Sequence, residues 1–461
     1  MPFTRKFPGN LVAVALGAAM ALDAGAGRAA EEDAGPPPRA DGNAVSGPFV
    51  TYHARPSARP RTTCSTRVPV CVHSTRIYAP TTSGAQRRAE ASRAADDAAA
   101  AGDAIAAFER TWPILTGALG VPAPDLGLDS LRYDVFLREG QTETVLEARD
   151  MRSRVDRARA FTWLDRQMRA SCMLDAEIAT AIARASLYRT APATEEGTAL
   201  AQARFLANLA VPCATAYDVD AMDSQARPER DLAEPGASVF WNRIDWAFGR
   251  QPGGIALAAQ ALHPSMTPAG APRWINEPDT FDVLRLTFKN ALSTSSTVND
   301  LWLDFGVARY FVGDNDDRLH IPELRTLGVA GKVPVAWDIP WPTAPRRLAP
   351  RVAIAPTGAS YLVIHRAGAR PGSRLRAEIE WEQHALFRWA FVKLDASGRE
   401  LGRVVIPSRE RATETSMTLA DLDATDRVLL VGVNTGDPGY AFDADDGDLE
   451  PHAWLVTVAE E

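Results

Sequence analysis

Between Cys172 and Cys213 the chain carries two stretches that are apolar over most of their circumference when wound as helices. Leu174, Ile178, Ile182 and Ala185 recur at helical spacing, and so do Ala199, Ala203, Leu206 and Ala210. The pattern predicts one helix over about 173–188 and another over about 195–211, both central rather than peripheral. Pro192 and its small neighbours make the turn, with Thr194 as N-cap. At 1.5 Å per residue each helix is roughly 25 Å long, so an antiparallel pair would bring Cys213 back beside Cys172.

On the N-terminal side the pattern turns helical near Ser83 and becomes Ala-dominated over 89–107. It continues through Phe108, Trp112, Ile114 and Leu115 to a natural stop at Gly120. Residues 131–137 alternate and are rich in β-formers, which predicts a strand. Residues 145–168 read as a charged amphipathic helix. Beyond Cys213, a polar loop (218–234) leads to helical patterns over 239–248, 255–262, 281–292 and 298–311. The aromatics of these segments, Phe240, Trp241, Trp246 and Phe248, then Trp302, Phe305, Tyr310 and Phe311, follow helical faces and predict core packing. From Pro322 to Pro350 six prolines break every pattern. Short strand patterns follow at 360–365, 375–381, 387–394, 403–406, 415–419, 427–434 and 452–458, with a turn at 395–398. That succession predicts an immunoglobulin-like β-sandwich, with Tyr361, Val363 and Phe391 on buried faces and Trp381 meeting Trp389 in the core. The fold class is therefore α+β and multidomain. A mainly helical domain (77–318), a Pro-rich connector (319–350) and a sandwich (351–461) follow in order, the sandwich expected to be an independent unit beginning near Arg351.

Composition narrows the picture. The chain has 461 residues, 46% hydrophobic, with eleven tryptophans, as expected of a folded protein of more than one domain. A net charge of −8 argues against nucleic acid as a partner. Arg5 and Lys6, the apolar run 11–22 and the small residues after it make residues 1–30 a signal peptide. The run is too short to span a bilayer, and no other stretch is apolar enough, so the mature chain is expected to be exported, periplasmic or extracellular, with no transmembrane segment. No Cys follows the run to anchor a lipid. Residues 31–76 read as a flexible Pro/Ala-rich leader holding a small disulfide loop. Four cysteines in an exported chain imply two disulfides, for which three connectivities exist. The favoured one is Cys64–Cys71 with Cys172–Cys213. The second pair closes a loop of about forty residues, worth roughly 4 kcal/mol by chain entropy.

Candidate chemistry centres on Ala176-Glu177-Ile178-Ala179-Thr180 in the first central helix. A strand, a buried helix pair, more helices and then a sandwich is an order that resembles secreted gluzincin-type zinc metallopeptidases with a C-terminal β-sandwich. In that family the first central helix carries His-Glu-x-x-His, and a Glu from the second completes the zinc site. The resemblance implies that Glu177 stands at the general base, and that Glu195 or Glu196 stands at the glutamate ligand. Ala176 and Thr180 stand where both histidines belong, and neither can replace an imidazole on zinc. The implied protein is a pseudo-peptidase that has lost the metal. The plainer alternative is that Glu177 is ion-paired with Arg184, two turns on, or with another cation, and that the likeness is chance. The seven histidines, His53, His73, His263, His320, His365, His384 and His452, share no helical spacing and are expected in loops or at the surface. No G-x-S-x-G, P-loop or G-x-G-x-x-G occurs. Two acidic loops remain: Asp314-Asn315-Asp316-Asp317, and Asp443, Asp445, Asp446 and Asp448. The second is a calcium candidate, with a solvated acidic turn as its alternative. The functional expectation is a non-catalytic protein in a binding or structural role toward a protein or cell-surface partner. The alternative is an active secreted hydrolase, a peptidase, whose site the sequence does not display.

Overall fold

The structure, a computed structural model, describes residues 45–46, 51–57, 59–76, 83–126, 131–147, 158–192, 194, 196–230, 238–266, 280–291, 298–407, 412–436 and 450–461. The expected signal peptide (1–30) and the calcium candidates Asp443, Asp445, Asp446 and Asp448 lie outside these residues. Among the described residues are three β-sheets and eight α-helices, a mixed α and β architecture.

The first sheet contains β1 (Val45–Ser46), β2 (Thr51–His53), β3 (Arg61–Cys64), β4 (Val70–Ser74), β5 (Tyr133–Arg138), β6 (Glu143–Glu147) and β7 (Ala160–Asp165). Its spatial order is β1-β2-β6-β7-β5-β4-β3. Strands β4, β5 and β7 run parallel, while β6 is antiparallel to β7. Two expectations are corrected here. The span 145–168 is not a helix: its ends form β6 and β7, whose Val145, Leu146, Phe161 and Leu164 are buried. The charged residues that imitated a helical face lie largely in 148–157, outside the described residues. The leader reading fails for 51–76, which supplies β2, β3 and β4. Every residue of β4 is buried, because β5 pairs with it and helix α1 (Gly84–Pro113) covers it. The alanines of the predicted helical stretch are what allow α1 to lie close, and Ala100, Ala101, Ala104 and Ala107 are all buried. Ser83 caps α1 by accepting the Gln86 amide. Gly120, at φ 79°, ends the turns Ile114–Leu119 that continue from α1.

Helices α2 (Cys172–Tyr188) and α3 (Glu196–Ala210) form the central pair, as their periodicity predicts. Cys172 and Cys213 are bonded, with Cα atoms 6.2 Å apart, and Cys64 and Cys71 are bonded across the β3–β4 hairpin. Beyond them come α4 (Val219–Ala226), α5 (Ser238–Phe248), α6 (Gly254–Met266), α7 (Thr280–Ala291) and α8 (Val298–Tyr310). Phe240, Trp302, Phe305 and Phe281 interlock with ring centroids 5.0 to 5.6 Å apart, the core packing their spacing implies.

Two further sheets pack face to face. One has the order β13-β12-β15-β10-β8 and the other β14-β11-β16-β9. Strands β10 (Ala359–His365), β11 (Leu375–Trp381), β12 (Phe387–Leu394), β13 (Glu400–Ile406), β14 (Glu414–Leu419), β15 (Arg427–Asn434) and β16 (Trp454–Glu460) match the sequence pattern closely. The other two strands come from the supposed connector. Strand β8 (Trp337–Ile339) lies parallel to β10, and β9 (Arg346–Leu348) lies antiparallel to β16. Ile321, Leu324, Leu327, Val333 and Trp341 of the same segment are buried, so 319–350 is a packed part of the fold and not a spacer.

Between the sheets, Phe387 and Trp389 stack, and Trp389 meets Trp454 edge-on at 5.5 Å. Trp381 joins them through Phe387, since β11 and β12 belong to opposite sheets. Tyr361 and Val363 are buried, but on the outer face. With Ala390, Val392, Val431 and Val433 they belong to the same continuous core as the helices. Helix α8 lies on β12 and β15, where the Tyr361 hydroxyl donates to the Gly306 carbonyl at 2.8 Å. No helix among the described residues is long and apolar enough to cross a membrane.

Candidate functional site

A cleft of about 660 Å³ opens where α2, α3 and α4 meet the turn between β5 and β6. Glu177, Thr180 and Arg184 of α2 line one wall, with Glu196 and Arg204 of α3 and Asp220 of α4 beside them. Gly140 to Thr144, Asp165 and Met168 line the opposite wall. Helical pitch explains the first wall: Glu177, Thr180 and Arg184 recur at intervals of three and four and share one face.

Glu177 does not pair with Arg184. Arg204 reaches across from α3 to within 2.7 Å of its carboxylate. The same guanidinium stands 3.6 Å from Asp220, and its Nη1 donates to the Thr180 hydroxyl at 3.4 Å. Burial works against the Arg204 charge, but Glu177 beside it holds the guanidinium protonated. Burial pushes the Asp220 carboxyl up, and Asp218 adds to the shift while Arg204 opposes it. Arg184 instead donates through Nε to the Tyr188 hydroxyl at 2.8 Å, and through Nη2 to Glu196 at 3.0 Å. Its plane also lies over the Tyr188 ring. Both candidate carboxylates, Glu177 and Glu196, therefore share the cleft, each held by an arginine. Glu195 is outside the described residues.

The residues do not fit a zinc ion. Ala176 and Thr180 are buried on α2, and the Thr180 hydroxyl donates to the Ala176 carbonyl at 2.9 Å. Among the described residues no three His, Cys, Asp or Glu side chains are arranged to hold a metal. In the acidic loop at 314–317 Asp314 is exposed and Asp316 accepts the Arg318 amide, while the buried Asp317 side chain accepts the Leu319 amide and His320 Nδ1.

Among the described residues two histidines are buried: His320, in a loop as expected, and His73, which lies on a strand. His73 on β4 is buried between Thr62 on β3, 2.8 Å from Nδ1, and Asp134 on β5, 2.9 Å from Nε2. Burial pushes the Asp134 carboxyl up, but the His73 bond and the charges of Arg55 and Arg59 outweigh it and hold it below the usual range. An alcohol, an imidazole and a carboxylate in line is the order of an activated nucleophile. Here Asp134 is ion-paired to Arg55 at 2.6 Å and His73 is stacked on Phe136, so the chain works as a polar strap across three strands. The second buried histidine, His320, links the helices to the sandwich. Neither the His73–Asp134 pairing nor that of His320 with Glu400 of β13 is legible in the sequence, because each joins residues far apart in the chain.

No family model matches the chain. No curated protein matches it either. Matches among solved structures are slight. The enzymatically active domain of bacteriophage CBA120 tailspike protein 4 aligns at TM-score 0.18 and 8% identity, over 27% of this chain and 18% of that one. The infectious bursal disease virus VP2 subviral particle aligns at 0.15 and 10%, over 26% and 35%. A family GH115 4-O-methyl-α-glucuronidase with specificity for decorated arabinogalactans aligns at 0.16 and 10%, over 65% and 46%. The chain spans less than half the length of each, and scores this low carry no shared fold.

Proposed function

We propose that this is an exported, non-catalytic binding protein whose helical part is a degenerate gluzincin-type metallopeptidase domain and whose C-terminal part is an immunoglobulin-like sandwich. The observation that carries the reading is the Glu177–Arg204 ion pair. A general-base glutamate in this family acts on a water that a neighbouring metal polarises. In this cleft the carboxylate accepts from a guanidinium 2.7 Å away, and the flanking positions are a methyl group and a hydroxyl turned to its own helix. The cavity remains while its hydrolytic chemistry is missing, which suits retention of a ligand rather than its cleavage. Five carboxylates and three guanidiniums in the lining (Glu143, Asp165, Glu177, Glu196, Asp220; Arg138, Arg184, Arg204) suit a polar, charged segment of a protein or cell-surface partner.

Metal analysis together with a peptidase assay tests the reading. The purified protein should hold no stoichiometric zinc, and Glu177→Gln should leave any background hydrolysis unchanged. Bound zinc at one per chain, or a chelator-sensitive peptidase activity abolished by Glu177→Gln, would overturn it.

A further inference from the structure

His320 lies where the helical part meets the outer strand of the five-stranded sheet, with its side chain 3% exposed. The ring is stacked on Phe311, centroids 4.1 Å apart and planes 4° from parallel, so its orientation is fixed. Nδ1 is 2.9 Å from Asp317 and Nε2 is 2.9 Å from Glu400 on β13. A neutral imidazole carries one N–H, so only the imidazolium can donate to both carboxylates.

The other charges facing this ring complete the count. Arg403 of β13 holds Glu400 at 2.8 Å and Asp304 of α8 at 3.1 Å. Arg243 of α5 holds Asp304 at 2.7 Å and donates to the His320 carbonyl at 3.3 Å. With His320 protonated, three cations (His320, Arg403, Arg243) face three carboxylates (Asp317, Glu400, Asp304). Loss of the proton leaves a largely buried excess of negative charge, which is costly at low dielectric. Arg403 Nη2, also on β13 and 2.8 Å from Nε2, can then donate to the bare ring nitrogen, a bond to a neutral ring that takes the place of the stronger ion-paired bond to Glu400. The cluster thus has two hydrogen-bond arrangements selected by one proton.

We propose that His320 is a pH-dependent latch fastening β13 to the helical part of the protein, closed while the imidazolium bridges Asp317 and Glu400 and loosened when it loses its proton. Strand β13 is the outermost strand of its sheet and pairs within it only with β12, and the ring adds to two ties that join β13 to the helical part, Arg403 to Asp304 at 3.1 Å and the Glu400 amide donating to Asp317 at 3.3 Å.

The titration directions agree. Burial alone would lower the His320 pKa, but its bonds to Asp317 and Glu400 raise it. Burial pulls Glu400 up, yet His320 and Arg403 bring it down to about 2, and Asp317 is lowered likewise. A raised histidine contributes stability that is complete below its ordinary pKa and is lost as pH rises through the raised one. The lowered carboxylates contribute stability above their ordinary range that is lost as pH falls through the lowered one. The latch is therefore closed between the ordinary carboxylate range and the raised histidine value.

Hydrogen–deuterium exchange of the full chain, corrected for intrinsic rates, tests this at about pH 6 and about pH 9, either side of the ordinary histidine value. Protection in segments 313–320 and 400–406 should fall with pH, by about tenfold per unit of upward pKa shift. In His320→Gln it should sit at the loosened level at both values. Protection in the wild type that is the same at both, or a His320→Gln profile matching the wild type, overturns the proposal. Should that variant not fold, the wild-type His320 ring titration by NMR decides: a midpoint above about 6.5 is expected, and one at or below it overturns the latch.

Discussion

Arg204 decides the character of the cleft. The sequence places Glu177 on a buried helix and offers Arg184 as its partner, since the two share a face. The structure gives Arg184 to Tyr188 and Glu196, and brings Arg204 from the neighbouring helix to Glu177. Removing that guanidinium leaves a carboxylate about one-fifth exposed beside Asp220, whose carboxyl burial already pushes up. Arg204→Ala is expected to cost about 1–3 kcal/mol, the range for stranding a charged hydrogen-bond partner, with Glu177→Gln recovering part of the loss. Chemical denaturation of the two single variants and the double variant measures the coupling. A neutral Arg204→Ala would mean that water already serves Glu177.

At the scale of elements, α8 shows close approach outweighing propensity. Gly306 sits inside the helix, where alanine would ordinarily be worth about 1 kcal/mol. A Cβ at Gly306 would stand 2.5 Å from Val433 Cγ2 on β15, nearer than side chains tolerate. Val433 is β-branched and buried, so it has little rotamer freedom with which to retreat. Gly306→Ala should therefore destabilise, by about 1–3 kcal/mol net, and Val433→Ala in the same chain should relieve part of that. Thermal melts of the three variants check it, and a stabilised Gly306→Ala would show that α8 can shift off the sheet.

At the scale of the molecule, the sandwich is not the self-contained unit that its strand pattern suggests. Both faces of the five-stranded sheet are buried, one against the other sheet and one against the helices. A fragment of residues 346–461 would expose Tyr361, Val363, Ala390, Val392, Val431 and Val433 and would lack β8. An apolar face of that size drives association. The fragment is expected to aggregate or to melt without cooperativity. Gel filtration with circular dichroism tests this, and a monomer with a cooperative β-type melt would restore the independent domain.

What the sequence determined by itself was local. Helical period along 172–210 defined the central pair, and with it the return of Cys213 to Cys172. Short strand patterns from 360 onward placed seven strands of the sandwich to within three residues at each end. Both signals repeat within one element, so neighbouring residues carry them. Pairing between distant segments was not legible. Strands β2, β3, β4, β8 and β9 are short and rich in proline or arginine nearby, and they become strands only because β5, β6, β10 and β16 offer an edge. Glu177 with Arg204, His73 with Asp134 and His320 with Glu400 likewise depend on which elements lie together. The tertiary structure alone decided them, because a charge or a backbone amide leaving water must find a partner wherever the packed core presents one.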